Sequence, residues 1–141
     1  MLKPWEKFKK DYKKGEFSYY KKSYRNHDYY IVLNHLDVLC GYVEDTIPIP
    51  QERYFFDPYE YDLNVHCGVT YKGEAYFNPD DNRSFIGFDC DHACDYVPKL
   101  AYISENHYWR DEKYVESNCR KLIRQLIELK GEQKWLKKLF S

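Results

Sequence analysis

No stretch of this chain approaches the roughly 20 consecutive apolar residues that cross a bilayer, and Met1-Leu2-Lys3-Pro4-Trp5-Glu6 lacks the apolar core of a secretion signal. A cytoplasmic location is therefore expected. In that reducing compartment five cysteines are poor disulfide material, and an odd number leaves at least one unpaired. The chain also has no His-Glu-x-x-His, no nucleophile elbow, no phosphate-cradling glycine loop and no double Cys-x2-Cys pattern. Each absence removes a standard class of hydrolase, nucleotide enzyme or zinc finger. Internal repeats and interdomain linkers are missing as well. The 141 residues, 43% of them hydrophobic, fit one domain spanning 1–141 that can bury most of its own surface.

What is present is concentrated in one place. Phe88-Asp89-Cys90-Asp91-His92-Ala93-Cys94-Asp95 packs two thiols, an imidazole and three carboxylates into eight residues. Upstream, His66 and Cys67 are adjacent within an apolar run, and Cys40 ends another such run before Gly41. These are soft and borderline ligands in sufficient number for one closed tetrahedral zinc (Zn2+) site. In a strand over 63–70, Leu63, Val65, Cys67 and Val69 share one face, and Asn64, His66, Gly68 and Thr70 the other. His66 and Cys67 would then point apart and bind the same ion only if the strand is bulged there, so one of them is expected not to ligate. Cys90 and His92 form a Cys-x-His chelate at a strand end, and the set so favoured is Cys40, His66, Cys90 and His92. Asp89, Asp91 and Asp95 would fix the imidazole tautomers from behind. Cys94 could join if the segment coils into a helical turn. The competing account is packing: Cys40 and Cys67 serve as small hydrophobes, Cys119 sits on a helical apolar stripe, and Cys67 and Cys94 form a redox-labile pair.

Charge is balanced in total and uneven along the chain. Residues 1–25 hold nine Lys or Arg against three acids, about +6, whereas residues 44–95 hold twelve acids against three basic residues, about −9. Residues 96–141 return to about +4. The acidic middle favours a basic partner surface and repels phosphates.

Periodicity gives the elements. Trp5, Phe8 and Tyr12 at helical spacing mark a short N-terminal helix stopped by Gly15. Phe17–Tyr24 and Tyr29–Leu33, rich in aromatic and β-branched residues, flank the polar turn Arg25-Asn26-His27-Asp28 as a β-hairpin. Val38–Val43, Leu63–Tyr71 and Ser84–Cys90 are three further strands, and Ile47-Pro48-Ile49-Pro50 opens a long irregular connection. Val115, Cys119, Leu122, Leu126 and Leu129 place a long helix from about Asp111 to Lys130, ended by Gly131, with Gln133–Phe140 adding a last basic turn or two. The expected class is α+β, an antiparallel sheet of about five strands packed by one long C-terminal helix.

Cys40-Gly41-Tyr42-Val43, Asn64-Val65-His66-Cys67-Gly68-Val69-Thr70-Tyr71 and Ile86-Gly87-Phe88-Asp89-Cys90-Asp91-His92-Ala93-Cys94-Asp95 resemble, over roughly residues 38–98, a widespread family of small phage and prophage proteins. The family pattern reads Cys-Gly-Tyr-Val, then Val-His-Gly-Gly-Leu-Thr-Tyr, then Gly-Phe-Asp-Cys-x-His-x-Gly-Asp. Cys40, His66, Cys90, His92 and Asp95 fall on its motif positions, whereas Cys67 and Cys94 stand where it has glycine. Some prophage members of this kind resemble anti-CRISPR proteins directed at Cas9-type effectors. The resemblance thus implies a non-enzymatic inhibitor in the host cell cytoplasm that binds a host RNA-guided defence nuclease, its partner being protein and not membrane or nucleic acid. Sixteen tyrosines, among them Tyr19, Tyr20, Tyr24, Tyr29, Tyr30, Tyr54, Tyr59 and Tyr61, suit an interface. Two alternatives come from other classes. A zinc-dependent hydrolase or nuclease would use three ligands, a water, and Asp89, Asp91 or Glu44 as base. A nucleic-acid-binding accessory protein would use Lys7, Lys9, Lys10, Lys13, Lys14, Lys21 and Lys22 interleaved with aromatics.

Overall fold

The computed structural model describes residues 1–47, 63–92, 94–103 and 108–140. Helix α1 (Pro4–Tyr12) begins with proline at its first position, where no amide donor is needed, and buries Phe8. The two-residue strand β1 (Lys13–Lys14) turns at Gly15 (φ 68) into β2 (Phe17–Tyr24). A second tight turn at Arg25 and Asn26, both with positive φ, leads to β3 (His27–Leu33). Two left-handed residues match the twist of the flanking strands, which is why so short a turn suffices. After Asn34–Val38 come β4 (Leu39–Glu44), β5 (Tyr71–Glu74) and β6 (Ser84–Asp89). A 3-10 segment at Pro98–Ile103 precedes the long helix α2 (Glu112–Phe140). The strands form one antiparallel sheet in the order β1-β2-β3-β4-β6-β5, so the α+β class is as expected.

Strand alternation assigns the two faces. Tyr29, Ile31, Leu33, Leu39, Val43, Ile86 and Phe88 meet Val115, Cys119, Leu122, Ile123 and Leu126 of α2. Tyr30, Val32, Cys40, Tyr42 and Phe85 point the other way, into a second core closed by Tyr19, Ala75 and Phe77. This second core buries Tyr19, Tyr30 and Tyr42, and the helix-side core buries Tyr29. The expected Tyr54, Tyr59 and Tyr61 lie outside the described residues.

Three sequence expectations change. The sheet has a sixth strand, because the two lysines of β1 extend the hairpin edge. Residues 63–70 are not a strand, and pairing with β6 begins only at Thr70, whose amide donates to the Gly87 carbonyl. Gly131 does not end α2. Among the described residues no side chain lies where its Cβ would stand, its φ is not positive, and the strong helix formers on both sides carry the helix through it. No described helix is long and apolar enough to cross a membrane.

Candidate metal centre

His66, Cys67, Cys90, His92 and Cys94 gather where β6 ends and the 63–70 segment crosses α2. That segment is held by side chains of the helix in place of a strand ladder. Asn118 Oδ1 accepts from the His66 amide at 3.0 Å, and Gln125 clamps Asn64 by accepting from its amide and donating to its carbonyl. Leu63, Val65 and Val69 are buried beneath it. Between them the chain makes a tight turn, with the Gly68 amide donating to the Val65 carbonyl and with Cys67 (φ 52) and Gly68 (φ 85) both left-handed. The turn breaks the period of two. His66 and Cys67 therefore converge where strand geometry would have separated them, and Cys67 Sγ lies 3.7 Å from His66 Nε2.

His66 is the hub. Its side chain is 5% exposed, its Nδ1 lies 2.5 Å from the Tyr114 hydroxyl, and its Nε2 lies 2.9 Å from Asp95 Oδ2. Asp95, whose side chain is fully buried, also accepts from Arg110 Nε at 3.0 Å and from the His92 amide. Burial works against its ionisation, yet the His66 and Arg110 hydrogen bonds hold it below the ordinary carboxylate value. Cys94 Sγ stands 3.6 Å from Cys67 Sγ, and both thiols reach solvent. The Cys67 thiol is pushed up to about 11, by desolvation first and then by Cys94 beside it.

Among the described residues, three groups have ligand atoms close enough together to share an ion: His66, Cys67 and Cys94; His66, Cys90 and Asp95; and Asp89, Asp91 and His92. The four residues favoured from sequence are thus distributed. His66 and Cys90 meet, with Asp95 as their companion. His92 joins Asp89 and Asp91, its Nε2 2.7 Å from Asp89 Oδ1 without the alignment of a hydrogen bond. Asp91 is raised to about 6 by burial and by Asp89. Cys40 falls in none of the groups. Opposite Asp89 in the β4–β6 ladder, it faces the second core with Tyr30 and Tyr42, and burial drives its thiol far above the usual value. Burial does the same to Cys90 and to Cys119, which packs on the helix side of the sheet as its stripe position implied.

Sequence reasoning did not find Tyr114, Asn118 or Arg110, which orient the hub from α2 and the approach to it. Tyr114 and Asn118 are four apart, on one helix face, and only the fold shows what that face meets. A second feature lies between α1 and the start of α2, a cleft of about 770 Å³ lined by the aromatic residues Trp5, Tyr12, Tyr96, Tyr108 and Trp109 and by charges of both signs, Lys3 and Lys7 with Asp11, Asp111 and Glu112. No protein-family model matches the chain, and no significant match appears among the curated proteins or the solved structures.

Proposed function

We propose that this chain is a phage-encoded anti-defence protein that inhibits a host RNA-guided nuclease of Cas9 type by binding it. The motif resemblance over residues 38–98 suggests the target class, and the aromatic cleft between α1 and α2 carries the argument for binding. Trp5 stacks obliquely on Tyr96 and Trp109 at ring distances of 6.0 and 5.9 Å, and Tyr108 is 76% exposed beside them. Tryptophan and tyrosine in a concave patch are the residue types that dominate interface energies. Asp111 and Glu112 of the lining, where Asp11 is already paired with Lys7, suit a basic partner, and a nuclease that channels nucleic acid presents basic surface.

The acidic middle contributes less free charge than the sequence suggests. Glu44 and Asp81 pair with Arg83, Asp45 pairs with Lys72, and Asp95 pairs with Arg110. Several N-terminal lysines considered for nucleic acid are likewise engaged, Lys7 with Asp11, Lys9 with Asp37 and Lys22 with Glu116. The test is a reconstituted cleavage assay with a panel of Cas9-type effectors, each with guide RNA and target DNA. Inhibition by the wild-type chain that weakens about tenfold or more in Tyr108→Ala is expected, equivalent to losing an interface anchor of about 1.4 kcal/mol or more. Absence of binding to every effector tested would reject the reading.

A further inference from the structure

We propose that His66, Cys67 and Cys94 form a zinc site that joins the 63–70 turn to the loop after β6. The site stands on geometry within this chain and does not depend on the identity of the nuclease target. At a Zn–S distance near 2.3 Å and a Zn–N distance near 2.0 Å, tetrahedral ligands lie about 3.8 Å apart for two sulfurs and about 3.5 Å for sulfur and nitrogen. The observed separations are 3.6 Å from Cys67 Sγ to Cys94 Sγ and 3.7 Å from Cys67 Sγ to His66 Nε2. A disulfide would need the sulfurs at about 2.05 Å.

The surroundings suit the same ion. With Nε2 on the metal, His66 Nδ1–H donates to the Tyr114 hydroxyl, which fixes tautomer and ring plane as zinc-bound histidines require. Asp95 Oδ2 lies 2.9 Å from Nε2 and belongs with Cys90, not with the two thiols, so His66, Cys67 and Cys94 are the three protein ligands and the fourth position is left to solvent. Both cysteines reach solvent, which gives the ion an entry path. Cys67 is left-handed, a conformation that costs a non-glycine residue roughly 1–2 kcal/mol and that glycine adopts freely. Two thiols and an imidazole are a donor set for a borderline-soft divalent ion, and on binding each thiol gives its proton to solvent.

Elemental analysis of the untagged full chain, purified in reductant with zinc and then desalted, tests this directly. One zinc per chain is expected for the wild type, for Cys119→Ser and for His92→Ala. Zinc should fall to near zero in Cys94→Ser and Cys67→Gly. Cys67→Gly is the decisive variant, because glycine relieves the left-handed backbone and the fold should survive, as read by an unchanged circular dichroism spectrum. Cobalt(II) in place of zinc should give thiolate charge-transfer and tetrahedral d–d bands that both variants lose. Zinc retained in Cys67→Gly, zinc lost in His92→Ala, or a metal-free wild type two hydrogens lighter through a Cys67–Cys94 disulfide would each overturn the proposal.

Discussion

At Gly41 the backbone of β4 passes so close to its neighbours that a Cβ would stand 2.6 Å from Cys119 Sγ and from the Phe88 ring. Cys119 is fully buried and Phe88 nearly so, which leaves neither room to retreat. Gly41→Ala should therefore destabilise the fold by about 1–3 kcal/mol, the usual cost of overpacking a filled core. Thermal denaturation of the single variant and of Gly41→Ala with Cys119→Ala checks it, since the double variant should recover part of the loss. Equal melting of Gly41→Ala and the wild type would show that the close approach is not a constraint. The sequence announced Cys119 as a core residue through its place on the helical stripe. It could not announce its partner, because glycine at position 41 carries no side chain to pattern. Cys67 shows the opposite limit. Its place in an alternating run argued that it faces away from His66, and one left-handed turn at Cys67 and Gly68 reverses that conclusion.

Elements were legible where hydrophobic period was sustained. The hairpin of β2 and β3, strand β4, strand β6 and the stripe of α2 all follow apolar patterns several residues long. The 63–70 segment is not legible in this way, because its apolar residues are buried against α2 while its backbone partners are the Asn118 and Gln125 side chains, which leave no periodic signal. The end of α2 departs from the pattern for a related reason. Glycine is a stop signal when it takes a left-handed conformation just past the last turn, and Gly131 does not take one. There it merely lacks helix propensity, and no described neighbour lies within 4 Å of the position its Cβ would occupy. Gly131→Ala should accordingly stabilise the last turns of α2 by about 0.5–1 kcal/mol. Increased helical ellipticity with a higher or equal melting temperature is the expected result, and decreased ellipticity would contradict a continuous helix.

Across the whole molecule the uneven charge becomes internal wiring, with Arg83 as its clearest junction. Its guanidinium reaches Asp28 at the start of β3 and Asp81 just before β6, both at hydrogen-bond distance, and Glu44 at the end of β4 at 3.3 Å. Asp81 also accepts from the Tyr30 hydroxyl, which ties the junction to the second core. The Arg83 hydrogen bonds hold the Asp81 carboxyl well below the usual carboxylate range, and the Ser23 hydroxyl together with Arg83 does the same for Asp28. A carboxylate whose folded pKa lies below its unfolded value, about 3.9 for Asp, contributes stability above the unfolded value and loses it as pH falls through the folded one. Arg83→Met should thus cost about 1–3 kcal/mol at neutral pH, through lost charge-assisted hydrogen bonds and through the unpaired Asp81 left behind. Below the unfolded aspartate pKa the wild type progressively loses this contribution and the variant has none to lose, so the gap between the two should narrow steadily from about pH 4 to pH 2. Urea denaturation of both proteins across that range measures the gap. A gap that stays constant with pH would mean that Arg83 acts by packing over the Phe85 ring, 5.5 Å from its guanidinium, and not by charge.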